Sequence, residues 1–204
     1  MSNLALHLHN ACLQAAEQCP QFPDLDTNSL DQSGKLNVNL DDLPRIGLEA
    51  VIAYWRTPQT IGGSLLWEGG YAALLPADVR SLFEQVEVQL KSLIGSTYGS
   101  TIAESVNKDC IAAVEECPQF DGFDEDTFEQ VPGGSVNVAN LHQHGLDAVL
   151  AYWRNRDTIG GNLLWHHEYS MGLPQQTRAL FKNVSKLLDQ AIHQVVAAHT
   201  AQST

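Results

Sequence analysis

Basic residues are scarce in this chain. Lysine and arginine together number 11 among 204 residues, against 24 aspartates and glutamates, and the formal net charge is -13. A surface that follows nucleic-acid phosphates would have to overcome the negative field of the whole molecule. We therefore expect no nucleic-acid partner.

Long apolar runs are also absent. No window of the sequence approaches the roughly 18 uninterrupted apolar residues of a membrane-spanning helix, and the N-terminus lacks a basic segment followed by an apolar run. We therefore expect no membrane partner and a cytoplasmic location. The four cysteines are interpreted as reduced thiols, because nothing else in the sequence suggests secretion.

Recognisable catalytic patterns are missing as well. The sequence has no nucleophile paired with a base, no paired carboxylates at a catalytic spacing and no cofactor fingerprint. These absences favour a non-catalytic binding or regulatory protein, which holds a protein partner or a small organic ligand. Whether the chain catalyses any reaction stays open.

The sequence does contain a long internal repeat. Cys-Pro-Gln-Phe begins at Cys19 and again at Cys117, which sets an offset of 98 residues (117 − 19). Tyr-Trp-Arg, Thr-Ile-Gly-Gly and Leu-Leu-Trp recur at the same offset, and only the loop near Asn37 and Asn137 shifts it, to 100 (137 − 37). We predict a tandem duplication, with repeats 1–97 and 98–204 packed as a pseudo-twofold dimer within one chain.

Apolar residues recur at helical spacing within each repeat. A first helix should end before Pro20 and Pro118, because proline cannot continue it. A second helix is predicted over residues 43–56 and 141–154, followed by a short third helix and a long last one. The apolar face of the last helix in the first repeat consists of Val79, Leu82, Phe83, Val86, Leu90 and Leu93. The sequence therefore predicts an all-α bundle with four helices in each repeat.

The Gly-Gly pairs that begin at Gly62 and Gly160 precede the short third helix. We expect them to form a turn that requires positive φ, followed by an N-cap at Ser64 and Asn162. A second possibility is that the backbone amides of the Thr-Ile-Gly-Gly turns, which begin at Thr60 and Thr158, bind an anion, as glycine-rich loops before helices do. In the second repeat this helix is predicted to continue to Met171.

Aromatic and arginine side chains form the candidate ligand site. Indole and phenol rings offer stacking faces, and arginine is a bidentate donor, which suits an anionic organic ligand or a peptide. The alternative is that these side chains are core anchors and a helix C-terminal cation. The residues are Tyr54, Trp55, Arg56, Trp67, Tyr152, Trp153, Arg154 and Trp165.

Histidines occur in the second repeat where the first has other residues. This asymmetry indicates a single site for a transition metal such as zinc or iron, and hence a metal-dependent enzyme as an alternative function. Solvated or capping histidines explain the same pattern. The candidate metal ligands are His142, His144, His166, His167 and Glu168.

Oxygen-donor side chains follow the first helix of each repeat and suggest a third function, an acidic calcium-binding protein. The match to a calcium loop fails at Ser29 and Lys35, and a solvated acidic loop is the alternative. The candidate calcium ligands are Asp24, Asp26, Asn28, Asp31, Asp124, Asp126 and Glu129. Cys12 and Cys19, like Cys110 and Cys117, are too far apart along a helix for a disulfide, and we interpret all four as buried small apolar residues, with pairing or metal binding between the repeats as the alternative.

Overall fold

The computed structural model describes residues 3–20, 30–31, 38–57, 60–116, 128–131, 134–156 and 158–202. These residues are mostly helical and form nine α-helices and two short antiparallel strand pairs. The predicted all-α class is confirmed at this level. Among the described residues, no helix is both long enough and apolar enough to cross a membrane.

Two compact units divide the chain. Unit 1 comprises Met1–Gln89 together with Asp189–Thr204, and unit 2 comprises Leu90–Leu188. The repeats 1–97 and 98–204 are defined by sequence similarity and not by contacts, so their boundaries stay a prediction.

Unit 1 contains four complete helices, one strand pair and the first part of a long helix. In chain order these elements are α1 (Asn3–Ala16), β1 (Leu30–Asp31), β2 (Val38–Asn39), α2 (Leu43–Ile46), α3 (Leu48–Arg56), α4 (Ile61–Trp67) and α5 (Ala77–Tyr98). Short 3-10 helices at Leu40–Asp42 and Tyr71–Leu74 precede α2 and α5.

Unit 2 follows the same order after the second part of α5, with a 3-10 helix in the place of α2. Its elements are α6 (Ala103–Glu115), β3 (Phe128–Val131), β4 (Gly134–Asn137), α7 (Leu146–Arg154), α8 (Ile159–Trp165) and α9 (Gln175–Gln202), whose last residues belong to unit 1. Short 3-10 helices lie at Leu141–His144 and Tyr169–Gly172.

The predicted second helix is interrupted by glycine in both units. Gly47 has φ +136° and Gly145 has φ +100°, a region that residues with a side chain rarely adopt. The chain therefore turns at these two positions, and α3 and α7 begin immediately afterwards. A single helix over 43–56 or 141–154 is wrong for this reason.

The short third helix has the same length in both units. Both α4 and α8 end at a tryptophan, Trp67 in one and Trp165 in the other. The predicted extension to Met171 is wrong, because Glu168 has φ 65° and no longer follows the helical path.

Apolar side chains of the long helices build the core as predicted. Of the six apolar residues expected on one face of α5, all but Leu93 are at most 5% exposed. In α1, Leu8, Cys12 and Ala15 are buried as well. Burial of this face is what holds α5 in place, because long helices in proteins owe most of their stability to packing.

The strand pairs were not predicted, because strands of two to four residues are too short to show a period of two. Leu30 pairs with Asn39, and Phe128 pairs with Asn137. Each residue of the second pair lies 98 residues after its counterpart in the first pair (128 − 30 and 137 − 39). The pairing thus keeps the offset of the rest of the repeat and does not show the shift to 100 predicted from the sequence.

Candidate functional site

The Tyr-Trp pairs predicted as ligand contacts lie in the hydrophobic core. Trp55 and Trp153 are fully buried, and Tyr54 and Tyr152 are at most 5% exposed. The two rings of each pair meet edge to face, with centroids 5.2 Å apart in unit 1 and 5.1 Å apart in unit 2. Because this packing covers the rings, a ligand could stack on them only after the core opened.

Trp67 and Trp165 join the short helices to the helices before them. Trp67 Nε1 donates a hydrogen bond of 2.7 Å to the carbonyl of Trp55, and Trp165 Nε1 donates one of the same length to the carbonyl of Trp153. These carbonyls lie in the last turns of α3 and α7, where a helix leaves its own acceptors without an internal partner. The indoles therefore fix the corner between α3 and α4 and the corner between α7 and α8.

The two arginines of the motif are also engaged within the protein. Arg56 Nε lies 2.7 Å from Glu87 Oε1, and the arginine side chain is only 15% exposed. Arg154 is half-buried and has contacts of its own. The ligand-binding role of the eight aromatic and arginine residues stays a prediction, and the contacts that the structure gives them are those of packed corners.

Threonine caps α4 and α8, one turn earlier than predicted. Thr60 Oγ1 accepts a hydrogen bond of 3.0 Å from Gly63 N, and Thr158 Oγ1 accepts one of 3.0 Å from Gly161 N. The glycines are therefore inside the first helical turn, and the predicted caps at Ser64 and Asn162 are wrong.

Close approach, and not positive φ, explains the Gly-Gly pairs. None of these four glycines has positive φ. A Cβ atom on Gly62 would lie 2.4 Å from the Trp55 ring, and one on Gly63 would lie 2.0 Å from the Thr57 carbonyl oxygen. The same approaches recur in unit 2 at 2.5 and 1.9 Å. Only glycine leaves room for the helix to lie this close to its neighbours.

The amide group predicted to bind an anion faces a carboxylate of the protein itself in unit 2. Ile159 N donates to Glu129 Oε1 at 2.7 Å, and the Tyr152 hydroxyl donates to Glu129 Oε2 at 2.6 Å. The same hydroxyl accepts a hydrogen bond from Gly160 N at 3.3 Å. Burial, together with the Glu129 carboxylate, raises the pKa of Tyr152, so the phenol stays protonated and continues to donate.

Replacing Thr158 with alanine is expected to lower the free energy of unfolding by about 2 kcal/mol, at the upper end for an N-cap. The reason is that its buried hydroxyl shares its single proton between the carbonyls of Tyr152 and Asn155 and also accepts from Gly161 N. Thr158→Ser keeps the oxygen and should lose about 1 kcal/mol or less, the value of one methyl group. Urea unfolding measures both, and equal losses would mean that the methyl group matters and not the cap.

The candidate metal ligands do not form one cluster. His142 and His144 lie on the 3-10 helix before α7, whereas His166 and His167 follow α8 with ring centroids 5.3 Å apart. In the part of the chain that the structure describes, which includes Glu168, no three histidine, cysteine or acidic side chains are placed to share a metal ion. The two histidine pairs therefore do not converge.

Most candidate calcium ligands lie outside the described residues. These are Asp24, Asp26, Asn28, Asp124 and Asp126. Only the backbone of Asp31 is described, in β1, and the carboxylate of Glu129 is bonded as above. The calcium hypothesis stays a prediction.

The described cysteines are buried thiols. Burial raises the pKa of Cys12 and of Cys110, which disfavours the reactive thiolate in both. Cys19 is also buried, beyond the end of α1, and Cys117 lies outside the described residues. The thiols of Cys12 and Cys110 therefore serve as small apolar side chains.

Two corresponding buried polar residues, one in each unit, were not predicted from the sequence. His9 on α1 is 3% exposed, and its Nδ1 lies 3.1 Å from Trp55 Nε1. Asn107 on α6, 98 residues further on (107 − 9), is 1% exposed and accepts from Trp153 Nε1 at 2.8 Å. Each unit thus provides a different acceptor for the same indole donor. A polar residue at both positions of an otherwise apolar stripe was the signal that could have revealed the pair.

An open groove with a volume of about 640 Å³ lies along the first part of α9 in unit 2. Its carbon surface comes from Tyr98 at the end of α5, from Ile102 just before α6, and from Ala179 and Leu180 on α9. The groove thus combines the end of one helix, the start of the next and one face of a third.

Polar side chains complete the groove lining. Lys182 and Lys186 are exposed and lie one helical turn apart, so that they occupy the same side of α9. Asn183 Nδ2 donates a hydrogen bond of 2.6 Å to the Tyr98 hydroxyl. The lining residues, all of them in the described part of the chain, include no acidic side chain. The arrangement offers an apolar surface bordered by cations and hydrogen-bond donors.

The two lysines belong to the second repeat alone. At an offset of 98 residues, Lys182 corresponds to Glu84 (182 − 98), and Lys186 corresponds to Val88 (186 − 98). The same comparison of the two repeats that selected the histidines would, if applied to lysines, have selected this face of α9.

In a comparison with protein families, curated proteins and solved structures, no match to this chain was found.

Proposed function

We propose that the protein is a non-catalytic binding protein that holds a small organic ligand in the groove of unit 2. The groove is the observation that carries this proposal. Its volume of about 640 Å³ falls within the roughly 300–1,000 Å³ of sites for small organic molecules. Its lining also has their composition, since carbon surface dominates and a few polar groups are present to orient the ligand.

A small ligand fits this groove better than a protein partner does. A stable protein interface buries about 1,200–2,000 Å² in total, which requires a much larger contact surface than eight side chains provide. The metal-dependent and calcium-binding alternatives have no comparable observation in their favour among the described residues. We therefore place the binding function in the groove and not at the aromatic corners or the histidines.

The proposal includes a tandem duplication of a helical unit of about 98 residues. It is supported by matched hydrogen bonds at the same offset, such as Trp67 to Trp55 and Trp165 to Trp153. Duplication leaves one copy free to change, and the lysines of α9 are such a change. The pseudo-twofold arrangement of the repeats stays a prediction.

Filling the groove with a larger side chain should weaken ligand binding. Ala179 lines the groove on an exposed side of α9, and Ala179→Trp places an indole in it. Two fluorescent probes that brighten in apolar sites, 8-anilinonaphthalene-1-sulfonate and its uncharged parent N-phenyl-1-naphthylamine, report occupancy. We expect saturable binding of at least one probe at one site per chain, weakened about tenfold or more by Ala179→Trp, which corresponds to about 1.4 kcal/mol.

The matched control is Ala112→Trp, which adds the same ring to an exposed position of α6 outside the groove. This variant should bind the probes as the parent protein does. Absence of saturable binding for both probes, or equal binding by both variants, would overturn the proposed function.

A further inference from the structure

We infer that the ligand of this groove is an amphipathic organic anion, with its acidic group at Lys182 and Lys186 and its apolar body against Ile102 and Ala179. The inference rests on the proposed function and names the ligand class of the same site. Three features of the groove support it: two cations that form no ion pair, a charge pattern opposite to that of the first repeat, and a phenol that can donate.

Neither Lys182 nor Lys186 forms an ion pair within the described residues, and Asp189 is the acidic residue nearest to them along α9. The ion pairs found there involve Lys91 and Lys108 among the lysines, and neither Lys182 nor Lys186. The formal net charge is -13, so acidic partners are plentiful in the chain. Two lysines that lie one helical turn apart, form no ion pair and border an apolar surface provide the charge complement of an organic acid.

The first repeat has the opposite charge pattern at the corresponding positions. Glu84 and Val88 stand where the second repeat has the two lysines, and Asp78 stands where it has Gln176. At these three positions the summed charge changes by four, from -2 in the first repeat to +2 in the second. An exposed helix can be kept soluble by charges of either sign, whereas binding of an anion requires positive charges such as those of the two lysines.

The hydroxyl of Tyr98 adds a third donor. It accepts its 2.6 Å hydrogen bond from Asn183, which leaves the phenol proton available for a carboxylate or sulfonate oxygen. Both Asn183 and Tyr98 line the groove, so the hydroxyl is placed at its surface. An anion placed here would meet two ammonium groups and one hydroxyl donor.

The two probes separate the contribution of negative charge to binding affinity from the contribution of molecular shape. The two probes share one aromatic framework and differ in the sulfonate, so their affinities for the same protein isolate the contribution of the negative charge. We expect the sulfonate to bind at least about tenfold more tightly than the uncharged parent, and added salt to narrow this ratio because the lysines are exposed.

Substitution of the lysines identifies the source of the preference. Lys182→Gln with Lys186→Gln should weaken sulfonate binding about tenfold and change binding of the uncharged parent by no more than about threefold. The control is Lys91→Gln with Lys108→Gln, which changes the net charge equally within unit 2 but outside the groove. The control pair should leave both affinities nearly unchanged.

The outcomes distinguish this inference from the proposed function. If both probes bind the groove with equal affinity and the lysine substitutions change neither, the groove binds a ligand but the anion inference is wrong. If the control pair weakens sulfonate binding as much as the groove pair does, long-range charge and not the groove is responsible, and the inference is again overturned. If neither probe binds, both proposals fail together.

Decanoate, a plain organic acid, should displace the bound sulfonate, whereas decanol should do so at least about tenfold less effectively.

Discussion

Replacing Gly161 with alanine is expected to destabilise the protein by more than about 3 kcal/mol, beyond the usual cost of overpacking. The new Cβ atom would lie 1.9 Å from the carbonyl oxygen of Asn155 and 2.8 Å from Thr158 Oγ1. Neither neighbour can move away freely, because that carbonyl also accepts from the Thr158 hydroxyl at 2.7 Å. The clash must therefore be relieved by moving α8 off its corner, which breaks the cap as well.

Gly95→Ala is the matched control for this substitution. Gly95 lies within α5, has no positive φ, and has nothing within 4 Å of an added Cβ atom. Alanine should therefore stabilise the helix there by about 0.5–1 kcal/mol. Urea unfolding of the two variants gives changes of opposite sign if the explanation is right. A loss of less than about 1 kcal/mol for Gly161→Ala would contradict the close approach that the structure assigns to this glycine.

The Gly-Gly pairs show where sequence reasoning succeeded and where it stopped. Their recurrence at Gly62 and Gly160 indicated a structural role, and a short helix was predicted to begin just after them, whereas it contains them. Their reason was missed, because it depends on how closely the glycines approach other groups. Gly62 and Gly160 approach the Trp55 and Trp153 rings, and the second glycine of each pair approaches a backbone carbonyl; these distances are set by the folded structure and not by local propensity. The interruption of the second helix at Gly47 was missed for a different reason, since a single glycine within a helical pattern is often tolerated.

The groove residues likewise differ in whether the sequence alone could have revealed them. Lys182 and Lys186 could have been selected from the sequence, because they are cations of the second repeat that correspond to Glu84 and Val88 in the first. Tyr98 could not, since it lies near the repeat junction and has no counterpart 98 residues earlier (98 − 98 leaves no residue). Its place beside Asn183 follows only from how the end of α5 packs against α9 within unit 2.

The second large effect concerns pH and the buried His9 of unit 1. Burial lowers the pKa of His9, and the carboxylate of Asp41 opposes this shift without cancelling it. The Trp55 indole donates to Nδ1, so the folded protein holds a neutral imidazole with its proton on Nε2. Protonation of Nδ1 would remove the acceptor and place a charge in the core.

The sign of the pH dependence follows from this lowered pKa. In the unfolded chain His9 titrates near the ordinary value of about 6.5. Since the folded-state pKa is lower, the unfolded state binds more protons at pH values between the two. The stabilisation is therefore fully present above the unfolded-state pKa, and it is lost as the pH falls toward the folded-state pKa, by up to about 1.4 kcal/mol per pH unit.

Asn107 supplies the control, because in unit 2 it accepts the hydrogen bond from the buried indole with a side chain that does not titrate. His9→Asn should retain the hydrogen bond from Trp55 and remove the loss of stability below about pH 6.5 that His9 causes. The reciprocal Asn107→His should introduce such a loss through Trp153. Urea unfolding between pH 7.5 and 5 compares each variant with the parent, so that the other seven histidines (8 − 1) cancel. Identical pH profiles for the parent and His9→Asn would mean that the protonated ring is accommodated in the core. A pH-dependent difference whose sign reverses between the two reciprocal variants would show that the acceptor of the buried indole decides whether a unit responds to acid.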